Sequence, residues 1–235
     1  MTAITTEEAC SYLYLPDEIW HCIFKFLDGD NSTLKSLSVV SKQFLSITNR
    51  LSLTITYQSI PFLSTLLHRF SNLTSLRLIL SSERRNDTDV NELLTLISTF
   101  PNLSTIKSLF LSIYDNNITA DGLRALSKKM TNLTSFTCYG MDYIRKKDLF
   151  FIADCFPLLE ELYLSCFHTW HICLEWGDHH DQLLELPKLR EIYLSGTHLK
   201  HQYIVDLCKT CELLREISVI PWFFSSIYFG HAKQK

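Results

Sequence analysis

Phe156-Pro-Leu-Leu-Glu-Glu-Leu-Tyr-Leu-Ser-Cys166 and Leu186-Pro-Lys-Leu-Arg-Glu-Ile-Tyr-Leu-Ser-Gly196 share one arrangement: an apolar residue, a proline, then apolar residues three, six and eight positions on. Upstream, the first extends to Leu149, Ile152, Phe156, Leu159, Leu162 and Leu164, with offsets 3, 4, 3, 3, 2. Leu63, Leu66, Phe70, Leu73, Leu76, Leu78 keep the same offsets, as do Leu123, Leu126, Met130, Leu133, Phe136, Cys138 and Ile204, Leu207, Cys211, Leu214, Ile217, Val219. A fifth copy starts at Leu93, Leu96, Phe100, Leu103, Ile106 and resumes three residues late at Leu109 and Leu111. With 46% of the chain hydrophobic, six apolar residues at set offsets arise by chance at about one start in a hundred. Five such copies in order are an internal repeat.

Offsets of 3 and 4 put the first residues of each copy on one helix face. The closing offset of 2 is a strand with every second side chain turned inward. The connections carry turn residues: Ser71-Asn72, Pro101-Asn102, Thr131-Asn132, Pro157 and Pro187. Each unit is therefore helix, turn and short strand, and cannot bury its apolar face alone. Stacked units bury a continuous core, with parallel strands on one side and helices on the other. The fold class is α/β.

The LxxLxL strand, the recurrent Asn/Pro-Leu turn and the period resemble leucine-rich repeats, in particular the Cys-containing class of F-box proteins. The resemblance covers residues 60–221 and assigns six strands; it implies a solenoid with parallel strands on its concave face and helices on its convex face. Equivalent strand residues (76, 109, 136, 162, 192, 217) are 25 to 33 positions apart, so the repeats carry insertions. Before Leu189, Ile192 and Leu194 the helix offsets fall on His179, Gln182 and Leu186. There, residues 167–181 replace an amphipathic helix with histidine and aromatic residues. A break in a repeat is a candidate for function; a tolerated surface insertion is the competing reading.

Residues 15–50 do not carry the repeat. They read Leu15-Pro-Asp-Glu-Ile-Trp-His-Cys-Ile-Phe-Lys-Phe-Leu27, a loop at 28–33, then Leu34-Lys-Ser-Leu-Ser-Val-Val-Ser-Lys-Gln-Phe44. Pro16 and the acids after it suit a helix start. Ile19, Ile23, Phe24 and Leu27 form that helix's apolar face, Asp28-Gly29 ends it, and Asp30 or Asn31 caps the next. Three helices this short leave apolar surface for a partner. LPxE, then IFxxL, then LxxLSxVSKxF, is similar to the F-box family. That resemblance implies docking on a Skp-type adaptor, and through it on a cullin scaffold carrying a RING subunit. Carried over by position, the adaptor contacts are Leu15, Pro16, Ile19, Ile23, Leu27, Leu37 and Val40. Phe44 stands where the family often has Trp, and part of this set must also form the unit's own core. The implied organisation is a flexible N-terminus (1–12), an F-box (13–50), about six leucine-rich repeats (51–221) and a C-terminal cap or tail (222–235).

In LxxLxL the residue between the last two apolar positions points away from the core. This gives one column of Arg77, Phe110, Thr137, Tyr163, Tyr193 and Ser218, and a second of Ile79, Ser112, Tyr139, Ser165, Ser195 and Ile220. Tyr, Phe and Arg are enriched at binding hot spots, so Arg77, Phe110, Tyr139, Tyr163 and Tyr193 are the candidate target-binding residues. Aromatics packing on one another across strands, with no ligand, is the competing reading. Only Arg77 is available for phosphate, so the columns do not favour a phosphorylated target.

A net charge of −3 and dispersed Lys and Arg argue against nucleic acid and against a polybasic membrane surface. No long apolar run predicts a membrane span. The first ten residues hold no signal-peptide core, so the expected location is cytoplasmic or nuclear. There the eight cysteines serve as thiols and small hydrophobes. No nucleotide-binding, GxSxG or HExxH motif occurs, and no enzyme or cofactor is expected. His168, His171, Cys173, His179 and His180 are the nearest approach to a metal cluster, but zinc needs four converging ligands, and no metal is expected. The composite expectation is a non-catalytic substrate receptor of an adaptor–cullin–F-box ubiquitin ligase. The alternative is a leucine-rich-repeat scaffold without ligase function, shortened at an apolar tail beginning at Trp222.

Overall fold

The computed structural model describes residues 15–27, 30–48, 52–70, 72–80, 90–113, 120–141, 144, 146–166, 186–196 and 201–220. The segment 167–181, the residues 28–29 and the tail 222–235 lie outside them.

Three short helices come first: α1 (Asp17–Lys25), α2 (Asn31–Leu37) and α3 (Lys42–Thr48). Asp17 and Glu18 in the first turn of α1 and Lys25 in its last complement the helix dipole at both ends. Pro16 is the N-cap residue, and its carbonyl accepts from the amides of Ile19 and Trp20. Of the two capping candidates for α2, Asp30 takes the role. Its carboxylate accepts the backbone N–H groups of Ser32 and Thr33, each at 3.1 Å, and their hydroxyls at 2.8 and 2.6 Å. These bonds, the Thr33 hydroxyl's foremost, hold the Asp30 pKa down to about 2. α3 packs on both α1 and α2. Phe24, Leu34 and Ile47, one from each helix, make a small buried core, closed by Trp20, Leu27, Leu37 and Phe44. Phe44 meets Trp20 and Phe24 edge-on, at centroid distances of 4.7 and 5.0 Å.

A seven-stranded parallel sheet follows, its strands in sequence order: β1 (Ser52–Thr56), β2 (Ser75–Ile79), β3 (Ser108–Ser112), β4 (Ser135–Met141), β5 (Glu161–Cys166), β6 (Glu191–Ser195) and β7 (Glu216–Ile220). Helices α4 (Leu63–Arg69), α5 (Val90–Ser98), α6 (Ala120–Ser127), α7 (Lys146–Cys155) and α8 (His201–Thr210) precede β2, β3, β4, β5 and β7. The apolar positions counted in the sequence are in register: Leu76 beside Leu109, then Phe136, Leu162, Ile192 and Ile217. The turns step at the same pitch. Thr74, Lys107, Thr134, Glu160 and Arg190 each offer one carbonyl to two successive amides of the next unit, at 2.7 to 3.1 Å. That spine satisfies the backbone where each turn meets the sheet.

The three-residue slip in the copy starting at Leu93 has a structural cause. A 3₁₀ turn, Leu103–Thr105, takes up the extra residues. Leu103 and Ile106 stay buried, and Leu109 and Leu111 still pair with Leu76 and Leu78. β1 adds a strand to the six counted in the sequence. Counting copies did not reach it because α3, and no repeat helix, precedes it. Leu53 and Ile55 nevertheless lie beside Leu76 and Leu78 and are buried in the same core. That core is one continuous cluster from Leu53 to Cys211. Cys138 and Cys211 lie buried within it and form no disulfide, Cys138 with its pKa driven up by burial.

Two glycines take a left-handed backbone. Gly140 (φ 84°) sits where the β4–β5 register shifts. Gly196 (φ 81°) follows β6 and donates its N–H to the Ile220 carbonyl at 2.9 Å. The helical unit and the sheet also touch: Arg69, in the last turn of α4, donates through Nη2 to the hydroxyl of Ser38, which is buried.

Candidate functional site

α1 is apolar on two sides. Trp20, Phe24 and Leu27 recur at helical spacing and turn toward the small core. Ile19, Ile23 and Phe26 recur at the same spacing about a quarter turn away, and all are exposed, Phe26 to 91%. Leu15 and Pro16 lie exposed just ahead of the helix. Gln43 on α3 ties this entry down, donating its Nε2 to Asp17 Oδ1 at 2.8 Å. Val39 and Val40 project from the turn after α2, 71% and 65% exposed. Burying a large aliphatic or aromatic side chain is worth about 1.5–3 kcal/mol, so an apolar surface of this extent on so small a unit favours association.

The seven residues matched to adaptor contacts fall into two groups. Leu15, Pro16, Ile19, Ile23 and Val40 are exposed, whereas Leu27 and Leu37 are half-buried against the small core. Phe24, read from the sequence as part of the same apolar face as Ile19 and Ile23, is buried. Phe26 and Val39 were not singled out in the sequence. The i, i+4, i+7 spacing of Ile19, Ile23 and Phe26 was the available signal for Phe26.

The second candidate is the sheet face turned away from the helices. Strand side chains alternate between faces, and the buried rows occupy the core side. Arg77 pairs in register with Phe110, Phe110 with Thr137, Thr137 with Tyr163, and Tyr163 with Tyr193. Tyr139 stands in the next row, beside Ser112 and Ser165. All five candidate target-binding residues are half-buried on this one face. The Arg77 guanidinium lies 4.0 Å over the Phe110 ring, and Phe110 meets Tyr139 at 5.5 Å. Tyr163 and Tyr193 stack at 6.0 Å. The aromatics thus pack across strands, as the competing reading held, while keeping part of each ring open. Ser165 and Ser195, expected to point outward in the second column, are buried.

Electrostatically the face has two ends. Arg77 stands at one, and Glu161, Glu191 and Glu216 line up at the other, one at the start of each of β5, β6 and β7. Tyr163 donates its hydroxyl to Glu191 Oε2 at 2.6 Å. That bond, then burial, then the three carboxylate charges push the Tyr163 phenol far above its ordinary value. Burial foremost raises Tyr139 as well, with Arg77 opposing. The glutamate row went unnoticed in the sequence, although Glu-Leu-Tyr, Glu-Ile-Tyr and Glu-Ile-Ser were all in view.

Among the described residues no His, Cys, Asp or Glu group is placed to hold a metal ion. The histidine cluster singled out in the sequence falls at 168–180, outside those residues. No helix among the described residues is long and apolar enough to cross a membrane.

Residues 13–56 match the F-box domain model. The match takes in the three helices and β1, ends before β2, and makes the N-terminal unit an F-box domain, which supports an F-box protein. F-box domains bind Skp-type adaptors in SCF ubiquitin ligases, so a substrate-adaptor role follows in general terms. No curated protein matches the chain.

Proposed function

We propose that this chain is the substrate-recognition subunit of an SCF-type ubiquitin ligase, working in the cytoplasm or nucleus and without catalysis of its own. Its F-box docks on the adaptor, and the adaptor joins it to the cullin and RING subunits. The stacked units form a leucine-rich-repeat solenoid whose concave sheet face holds a target protein for ubiquitination. Arg77, Phe110, Tyr139, Tyr163 and Tyr193 are the contacts proposed there. The observation that carries this reading is the second apolar stripe of α1, exposed on a domain that matches the F-box model.

The test is co-purification with a Skp-type adaptor, comparing wild type with Ile23→Asp/Phe26→Asp. These positions are chosen over Leu27 because Leu27 also packs in the domain's own core. We expect a stoichiometric complex with wild type and none with the double variant, whose melting temperature stays near wild type. As a control, Phe24→Ala loses the complex by another route, costing about 3–5 kcal/mol of domain stability. A folded wild-type chain that captures no adaptor leaves a binding scaffold and ends the ligase reading.

A further inference from the structure

Strands β5, β6 and β7 each open with a glutamate, and the pairing sets Glu161 beside Glu191 and Glu191 beside Glu216. Adjacent strands lie about 4.8 Å apart, and like charges directly opposite one another weaken a sheet. Glu191 offsets part of this by accepting the Tyr163 hydroxyl at 2.6 Å, whereas Glu161 and Glu216 add charge to the row with no such bond among the described residues. Among the described residues no Lys or Arg forms an ion pair with any of the three. Arg190, the nearest cation in sequence to Glu191, is committed to Glu160 at 3.3 Å. One alternation along the strands, on the same face, lie the stacked rings of Tyr163 and Tyr193. Aromatic faces and carboxylates both attract cations. At the other end of the face the charge is reversed, with Arg77 held over Phe110.

Building on the proposal that this face holds a target protein, we infer that its target is an extended protein segment bearing two or three Lys or Arg residues. Those residues seat against Glu161, Glu191 and Glu216, with an acidic residue of the segment at Arg77. The geometry sets the spacing. An extended chain advances about 3.3 Å per residue and returns a side chain to the same face every second residue. Two or three basic residues at alternate positions therefore cover three glutamates spanning about 10 Å. From β2 to β6 is four strand spacings, about 19 Å, so the acidic residue lies about six positions from the basic group. Charge complementarity selects a protein segment over nucleic acid and anionic lipid, whose phosphates the carboxylate row repels.

The probe is a fluorescein-labelled peptide of alternating lysine and serine, with its glutamate–serine counterpart as control. Both are titrated by fluorescence anisotropy into the full chain, alone and with its adaptor. The lysine peptide is expected to bind with an affinity that falls steeply with added salt, and the glutamate peptide not to bind. The triple variant Glu161→Gln/Glu191→Gln/Glu216→Gln weakens lysine-peptide binding by about tenfold or more. Glutamine at 191 still accepts the Tyr163 hydroxyl, so the face stays assembled. Equal binding of both peptides, or an unaffected triple variant, overturns the assignment. Spermine binding as tightly as the peptide assigns the row to a small polycation and overturns it too. Adaptor co-purification of the same proteins separates the two failures. Adaptor capture without peptide selectivity sinks this inference alone, and absence of adaptor capture by wild type sinks the ligase reading it builds on.

Discussion

Phe24 and Phe26 are two positions apart on one helix, yet one is 2% and the other 91% exposed. Their residue type is the same, so the difference is made by what the helix leans against. Phe24 faces α2 and α3, where Leu34 and Ile47 complete a contact shell. Phe26 faces away from them. Gly196 shows the opposite case, a residue whose identity decides its own backbone. At φ 81° an added Cβ is strained, and it would lie 2.9 Å from the Cys166 Cβ on the neighbouring strand. Gly196→Ala should destabilise the chain by about 1–3 kcal/mol, seen as a lower urea midpoint. A midpoint equal to wild type would mean that the β6 end relaxes without cost.

At the scale of the element, local chemistry and packing divide the work. The Asp30 cap of α2 is local: four hydrogen bonds from the two nearest polar residues. Because its folded pKa is depressed, the cap is at full strength above the ordinary carboxylate value of about 3.9. It fades as pH falls toward about 2. The gap in melting temperature between wild type and Asp30→Ala should be constant from neutral pH down to about 4 and shrink below it. A gap already closed at pH 5 contradicts this account. The 3₁₀ turn Leu103–Thr105 is the contrary example. Nothing in Leu-Ser-Thr demands it; it forms because Leu109 and Leu111 must stay in register with Leu76 and Leu78 while Leu103 and Ile106 stay buried.

At the scale of the molecule, each unit of the sheet is held mainly by its neighbours. Leu162 lies between Phe136 and Ile192, fully buried in the middle of the stack. Leu162→Ala should therefore cost about 2–5 kcal/mol and lower a single cooperative transition of the sheet, followed by circular dichroism. Loss confined to one unit, with the remaining strands melting as in wild type, would argue for independent modules. The F-box is joined to this stack by α3 running toward β1 and by the Arg69 bond to Ser38. Its own core of three buried side chains is small. An adaptor present at about 100 times its dissociation constant adds about 2.7 kcal/mol to it by mass action alone.

The helix–turn–strand unit was legible in the amino-acid sequence, because an apolar period is a local property that survives without knowledge of neighbours. The offsets 3, 4, 3, 3, 2 place Leu76, Phe136, Leu162 and Ile217 at equivalent strand positions, their closing 3, 3, 2 adds Ile192, and the F-box pattern of residues 15–44 is equally plain. Three things were not legible. Leu53 and Ile55 join the sheet although no repeat helix announces them. Leu27 and Leu37 turn partly inward while Phe26 and Val39 turn out. Glu161, Glu191 and Glu216, 30 and 25 residues apart in the chain, become adjacent. The sequence by itself determined the unit and its repetition, since hydrophobic spacing selects helix or strand within a few residues. Only the tertiary structure decided which apolar side chains stay exposed and which charges stand together, because burial and electrostatic neighbourhood depend on chain segments far apart in sequence.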